Sequence, residues 1–236
     1  MDYRRYFNKT KFFIDIVEYN FLKILKYKVI LTSKSNFDDI ITNTPFYWLP
    51  EYNKPIILVD NPQYVLIRLI EENKIINPVL IIGLNNIDNI YTLAKNGYDL
   101  TVIDKNEDLF NSVKNNREEY NKSVNFILED PLKLKDFSKN FNTIIDFGFL
   151  HNLKEEDDVL YALIMSNLLS ASGTLFLLCY SNKDYGGIKP RRFSREKIYI
   201  VFKDGFEVKN IEESVFQTKF GNISAWLATI VKERKI

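Results

Sequence analysis

The sequence predicts an α/β protein built on an open, mostly parallel sheet covered on both faces, with an antiparallel strand at its C-terminal edge and a helical appendage before it. Two observations predict this. From residue 77 onward, apolar runs of strand length alternate with stretches of helical spacing. Such alternation gives a parallel sheet with right-handed crossovers. The runs are also rich in Val, Ile, Leu and Phe and mostly uninterrupted by polar residues, as strands buried on both faces are.

Taken in order, the first apolar set is Phe13, Val17, Phe21, Ile24 and Leu25, at the spacing of an amphipathic helix. Such a helix either forms a lid or partner surface or packs on the main core. Residues 32–61 break into Asn-, Asp-, Thr- and Pro-containing pieces, among them Thr44-Pro-Phe-Tyr-Trp-Leu-Pro50, and read as an irregular connector. Asn61-Pro62 offers an N-cap with Pro at the first helical position, and Val65, Leu66, Leu69 and Ile70 continue at helical spacing. Residues 1–76 are therefore expected to be the appendage and 77–236 the main domain. Within that domain the predicted strands are Val79–Ile82, 100–103, Val124–Leu128, 143–145 and 174–179, and the predicted helices are 88–95, 107–117 and 155–169. Ser194-Arg-Glu-Lys starts a further helix that runs to Phe202, and the β-rich pieces 206–211 and 224–231 close the sheet.

Composition narrows the function. The 236 residues carry 32 Lys plus Arg against 31 Asp plus Glu, so a net charge of +1 gives no global field to attract a phosphate backbone, and no nucleic-acid partner is expected. No apolar run approaches the roughly 18 residues needed to span a bilayer, and the N-terminus lacks the apolar core of a signal peptide. A soluble, cytoplasmic protein is the expectation. The single Cys179 sits in the apolar run Thr174-Leu-Phe-Leu-Leu-Cys-Tyr180 and reads as a small core residue. With one His and one Cys, no metal site is expected.

Ligands of open parallel sheets bind outside the carboxyl ends of the strands. The informative segments are therefore the turns 83–88, Asp104-Lys105, Glu129-Asp130-Pro131 and Asp146-Phe-Gly-Phe-Leu-His151. The last three begin with or contain an acid. Asp104 lies 21 residues beyond Gly83, close to the separation at which an acid reaches the ribose hydroxyls of a nucleoside. A carboxylate suits that task because it accepts two hydrogen bonds from a vicinal diol. Any one of these acids could equally be a helix cap or turn former.

Residues 78–231, two thirds of the chain, resemble class I S-adenosylmethionine-dependent methyltransferases, most closely the small-molecule group that includes thiopurine and thiol methyltransferase-like enzymes. The resemblance lies in Leu93-Ala-Lys-Asn-Gly-Tyr-Asp-Leu-Thr-Val-Ile-Asp104, in Asp146-Phe-Gly-Phe-Leu-His151 with the acidic helix start after it, and in Leu168-Leu-Ser-Ala-Ser-Gly-Thr-Leu-Phe-Leu-Leu178. The elements 194–202, 206–208 and 225–230 match its closing part. It implies a Rossmann-like fold, S-adenosylmethionine as cofactor and direct methyl transfer to a small-molecule acceptor. By the same resemblance Asp104, with Lys105 beside it, would hold the ribose, and Asp130, with Pro131 after it, the adenine amino group. Gly83 and Asn85 would form the cofactor loop, and the backbone around Asp146, Phe147 and Gly148 would meet the methionine portion. His151, the only histidine, would sit near the acceptor, as a general base or as an element ordering the loop.

The departure from the family is at the glycine loop. The family's G-x-G-x-G falls on Gly83-Leu-Asn-Asn-Ile87, and only the first glycine is kept. Asn85 tolerates left-handed dihedrals, whereas a β-branched Ile87 does not. Either Asn85, Asn86 and Asp88 replace glycine backbone in a working enzyme, or the fold is catalytically silent and serves as a binding or regulatory partner. On the second reading the N-terminal helix is the surface for a second copy or another protein. For the acceptor, Phe46, Tyr47 and Trp48 could enclose an apolar or cationic group, or simply pack against the sheet. Arg191 and Arg192 could attract an anionic group, or lie on a solvated loop.

Overall fold

The computed structural model describes residues 61–84, 86–107, 110, 124–134, 137, 140–183, 191–218 and 221–234. The expected N-terminal helix, the connector with Phe46 and Trp48, Asn85 and most of the expected helix 107–117 lie outside the described residues. The elements are α1 (Tyr64–Glu71), β1 (Val79–Ile82), α2 (Ile87–Lys95), β2 (Leu100–Asp104), β3 (Val124–Leu128), β4 (Phe141–Phe147), α3 (Asp158–Leu168), β5 (Leu169–Tyr180), α4 (Arg195–Val201), β6 (Phe206–Thr218) and β7 (Gly221–Lys232). Seven strands form one sheet in the order β3-β2-β1-β4-β5-β7-β6. Strands β1 to β5 pair in parallel, and β7 runs antiparallel to both β5 and β6. The expected mostly parallel sheet with an antiparallel C-terminal edge is what the chain forms.

Continuous apolar runs are used on both sides of the sheet. Leu80 and Ile82 of β1 join Ile144, Leu175, Leu177 and Cys179 in a core closed by α3 and α4. Val79 and Ile81 point the other way, into a core with Leu100, Val102, Phe176 and Leu178 closed by α1 and α2. Successive residues of a strand face opposite sides, so burying both demands an unbroken apolar run. The segment before β1 belongs to the second core: Val65, Leu66 and Leu69 of α1 are buried, each contributing roughly 2 kcal/mol. Cys179 is fully buried as expected, and burial pushes its thiol well above the ordinary range.

Several boundaries differ from the sequence reading, each for a physical reason. Helix α1 starts at Tyr64, and its N-cap is Gln63 in extended conformation in place of Asn61. The Asn61 carbonyl instead accepts a hydrogen bond from Asn86 Nδ2 at 2.9 Å. Helix α2 starts one residue early, because the Asn86 side chain accepts the Asn89 N–H and caps it. The expected helix 155–169 divides into a short 3-10 turn, Glu155–Asp157, followed by α3. Strand β5 begins directly at Leu169, where α3 ends, and its bulge opposite β4 carries Ser172 at φ +62°. Gly173 is required there, because an added Cβ would lie 2.9 Å from the Ser170 carbonyl oxygen and 3.0 Å from that of Phe141. Strand β6 extends seven residues beyond the expected end at Ile211, to Thr218.

Candidate functional site

Strand β1 is flanked by β2 on one side and by β4 on the other, so the crevice where an open sheet binds its ligand lies at the carboxyl ends of these strands. Hydrogen bonds hold the turns after β1, β2 and β3 in one row. Gly83, at φ +85°, donates its N–H to the Ile103 carbonyl at 2.8 Å. The next residue, Leu84, donates its N–H to Asp104 Oδ2 at 2.6 Å, and Asn106 donates to Asp104 Oδ1 at 2.7 Å. The Glu129 N–H reaches the Asp104 carbonyl at 3.0 Å. Burial raises the Asp104 pKa, opposed by the N–H groups of Leu84 and Asn106 and by the charge of Lys105. The N–H groups of Leu84, Asn106 and Lys105 leave the carboxylate acceptor capacity for a ligand hydroxyl, and the residue is only partly buried. Asp130 caps the 3-10 turn Pro131–Lys133 through the Leu132 N–H at 3.1 Å. Its Oδ2 lies 3.9 Å from the exposed ammonium of Lys105, and Pro131 is buried beside it.

The glycine-loop departure has a simple local answer at one position. Ile87 is the first residue of α2, where its β-branched side chain meets no left-handed requirement. The role expected for Asn86 is corrected: both ends of its side chain bond the protein, to Asn89 N and to the Asn61 carbonyl.

After β4, Asp146 is fully buried. It accepts the Phe149 N–H at 2.6 Å, the Leu150 N–H at 3.0 Å and the Tyr161 hydroxyl at 2.6 Å. Burial raises its pKa to about 6 against those three donors. With its carboxylate so committed and the Phe147 ring in the core, what this turn can offer a ligand is backbone, at Gly148 with φ +109°. A Cβ on Gly148 would lie 3.2 Å from both His151 Nε2 and the ring of Phe216.

His151 is buried, with its ring centroid 4.4 Å from that of Tyr180 and 5.5 Å from that of Phe216. Its Nδ1 accepts the Tyr180 backbone N–H at 3.2 Å. Burial, reinforced by Arg191 and Arg192, lowers its pKa to about 3. The general-base reading is therefore corrected: the acceptor nitrogen is occupied, and the neutral ring carries its proton on Nε2 as a fixed donor. Because His151 is the sole histidine, its imidazole nitrogens give one pair of NMR signals. These are expected to keep the neutral Nε2–H pattern from pH 8 down to about pH 5, and titration near pH 6.5 would contradict the geometry.

Arg191 is committed on one side: its guanidinium bonds Asp158 at 2.6 and 3.3 Å and the Leu150 carbonyl at 3.2 Å. Its backbone N–H donates to the His151 carbonyl at 2.9 Å. Lys197 adds a contact to Asp158 at 3.2 Å and to Glu155 at 2.6 Å. Arg191 thus pins the His151 turn to α3. Sequence reasoning missed Tyr161, Asp158, Tyr180 and Phe216 as parts of this region; the acidic run before α3 was the one signal for any of them. Among the described residues no His, Cys, Asp and Glu cluster could hold a metal ion. No described helix is long and apolar enough to cross a membrane.

No protein-family model matches the chain. Two curated proteins of Schizosaccharomyces pombe, each named as an uncharacterized methyltransferase, are 26% identical to it over 132 residues, 56% of this chain and 90% of theirs. A SAM-dependent methyltransferase structure from Methanosarcina mazei superposes with a TM-score of 0.60 at 15% identity, covering 70% of this chain and 98% of that one. The Burkholderia thailandensis 1,6-didemethyltoxoflavin-N1-methyltransferase, solved with 1,6-didemethyltoxoflavin and S-adenosylhomocysteine bound, gives 0.59 at 15% identity over 72% of this chain and 76% of that one. The sheet order, the antiparallel edge and these superpositions agree: the chain has the Rossmann-like fold of the class I S-adenosylmethionine-dependent methyltransferases.

Proposed function

We propose that this chain is an S-adenosylmethionine-dependent methyltransferase that acts on a small-molecule acceptor by direct transfer. The observation that carries the reading is Asp104: it stands at the tip of β2 beside the topological switch point, locked to the loop after β1 and only partly buried. Its remaining acceptor capacity suits a ribose hydroxyl. Asp130 and Pro131 lie along the same row for the adenine end, with Lys105 over Asp130. Gly83, after β1, and Asn85, outside the described residues, are assigned to the cofactor loop, and the backbone at 146–148 to the methionine end. The cofactor supplies an activated methyl group on a sulfonium, so the chain's residues need only position the acceptor and exclude water. His151 then acts as a fixed Nε2–H donor beside Gly148.

The relatives named methyltransferases support the activity, and the 1,6-didemethyltoxoflavin-N1-methyltransferase neighbour supports a small-molecule acceptor. One observation favours the catalytically silent alternative, namely that the His151 nitrogen able to accept a proton already accepts the Tyr180 N–H. A transfer assay decides between them. Purified protein with methyl-labelled S-adenosylmethionine is offered small thiols, then nitrogen heterocycles and phenols. Acceptor-dependent S-adenosylhomocysteine formation supports the enzyme. No turnover with any acceptor by a protein that binds the cofactor supports the silent form.

A further inference from the structure

We propose that a buried amide network joining Gln63, Gln217, Asn86 and Asn89 is a latch that sets how tightly the cofactor is held. The inference rests on the cofactor reading above. Gln63 and Gln217, 154 residues apart, exchange two hydrogen bonds: Gln63 Nε2 donates to the Gln217 carbonyl at 3.0 Å, and the Gln217 N–H donates to Gln63 Oε1 at 2.9 Å. The Gln63 side chain therefore continues the edge of β6 as a strand backbone would. Gln217 Oε1 in turn accepts the N–H of Tyr64, the first residue of α1, at 2.6 Å. On the other side the Gln63 N–H donates to Asn89 Oδ1 at 2.8 Å, the Asn89 N–H to Asn86 Oδ1 at 3.2 Å, and Asn86 Nδ2 to the Asn61 carbonyl at 2.9 Å. All four amide side chains are buried.

These amides pair backbone groups of Gln63, Tyr64, Asn89 and Gln217, which apolar side chains of the same volume would leave unpaired. What a satisfied polar network adds is one defined arrangement of the pieces it joins. Its two ends lie at the two sides of the site. Asn86 caps α2 and stands two residues after Leu84, which Asp104 holds. Gln217 follows Phe216, whose ring packs against His151 and Gly148. With the latch made, the free protein already holds the loop after β1 and the Phe216 wall in place. With it broken, only a fraction of molecules is binding-competent, and affinity falls by that fraction.

The test uses the full chain and S-adenosylhomocysteine, with affinity read by calorimetry and dissociation by stopped flow. Gln63→Ala and Gln217→Ala are expected to weaken binding by about tenfold and to speed dissociation correspondingly. Ile198→Val, a conservative core change in α4, is the stability control and leaves both unchanged. Gln63→Glu keeps the shape and guards against misfolding of the truncated variants. Ionised, it cannot donate to the Gln217 carbonyl, and protonated it can. Its affinity relative to wild type at the same pH therefore recovers as the pH is lowered from 8 to 5, a ratio that cancels the titration of Asp104 and Asp146 common to both proteins. A merely structural role would lower the melting temperature without these changes. Latch variants with the wild-type Kd and dissociation rate, in a protein whose wild type binds, would overturn the latch alone. A wild type that does not bind would overturn the cofactor reading and the latch with it.

Discussion

Replacing Asp104 by Ala is expected to weaken S-adenosylhomocysteine binding by about 100-fold or more. Two losses combine. A charge-assisted hydrogen bond to a ribose hydroxyl is worth roughly 1.5–3 kcal/mol, and about 1.4 kcal/mol is a factor of ten. The same carboxylate also holds the N–H groups of Leu84 and Asn106, so its removal releases the loop that the cofactor must meet. Asp104→Asn, which keeps one acceptor but turns an NH₂ toward one of those N–H groups, should fall between wild type and Ala. Calorimetry on samples with matching far-UV circular dichroism checks this. Binding within about twofold of wild type would remove Asp104 from the site.

The largest effect on stability is expected at Asp158. Its side chain is 5% exposed and takes two hydrogen bonds from Arg191, with Lys197 also within reach. Asp158→Ala leaves the Arg191 guanidinium largely buried without its counter-charge, a change that costs about 3–5 kcal/mol. Because Arg191 also bonds the Leu150 and His151 carbonyls, the turn carrying His151 should loosen as well. Urea unfolding gives the measurement. Replacing both partners, as Arg191→Met with Asp158→Leu, should recover most of the loss, because an apolar pair of similar volume carries no desolvation penalty. Lys197 can then rely on Glu155. A single variant less than about 1 kcal/mol below wild type would mean that the pair behaves as a surface ion pair.

The doubly buried β1 needs an unbroken apolar run, and Val79–Ile82 was read to the residue, as was Val124–Leu128 on the half-exposed edge strand β3. Where a strand mixes polarity, its ends were lost. The second half of β6, Glu212 to Thr218, lies on the edge of the sheet, so one face meets solvent and the apolar signal thins to Val215 and Phe216. The start of β5 was hidden in Ser170-Ala-Ser-Gly173, a sequence that looks like a turn and carries a bulge.

The site divides in the same way. Asp104 was a candidate because its spacing from Gly83 reflects one strand-helix-strand unit, a local constraint that the structure keeps through the Leu84 N–H. The partner of Arg191 was hidden, because a basic residue near glycines looks solvated and Asp158 is 33 residues away. The Gln63–Gln217 pair had no signal at all, since amides separated by most of the chain form no motif. His151 stood out as the sole histidine, yet its protonation was invisible: one backbone N–H from Tyr180 decides which nitrogen accepts.

The central claim is that the carboxyl ends of β1, β2 and β4 form a working S-adenosylmethionine site despite a single surviving loop glycine. Calorimetric titration of the purified wild-type chain with S-adenosylmethionine and S-adenosylhomocysteine, after removal of any co-purified cofactor, tests it most directly. Saturable one-to-one binding with a Kd in the micromolar range, about −8 kcal/mol, is the predicted result. A folded sample that gives no heat of binding at millimolar ligand would contradict it.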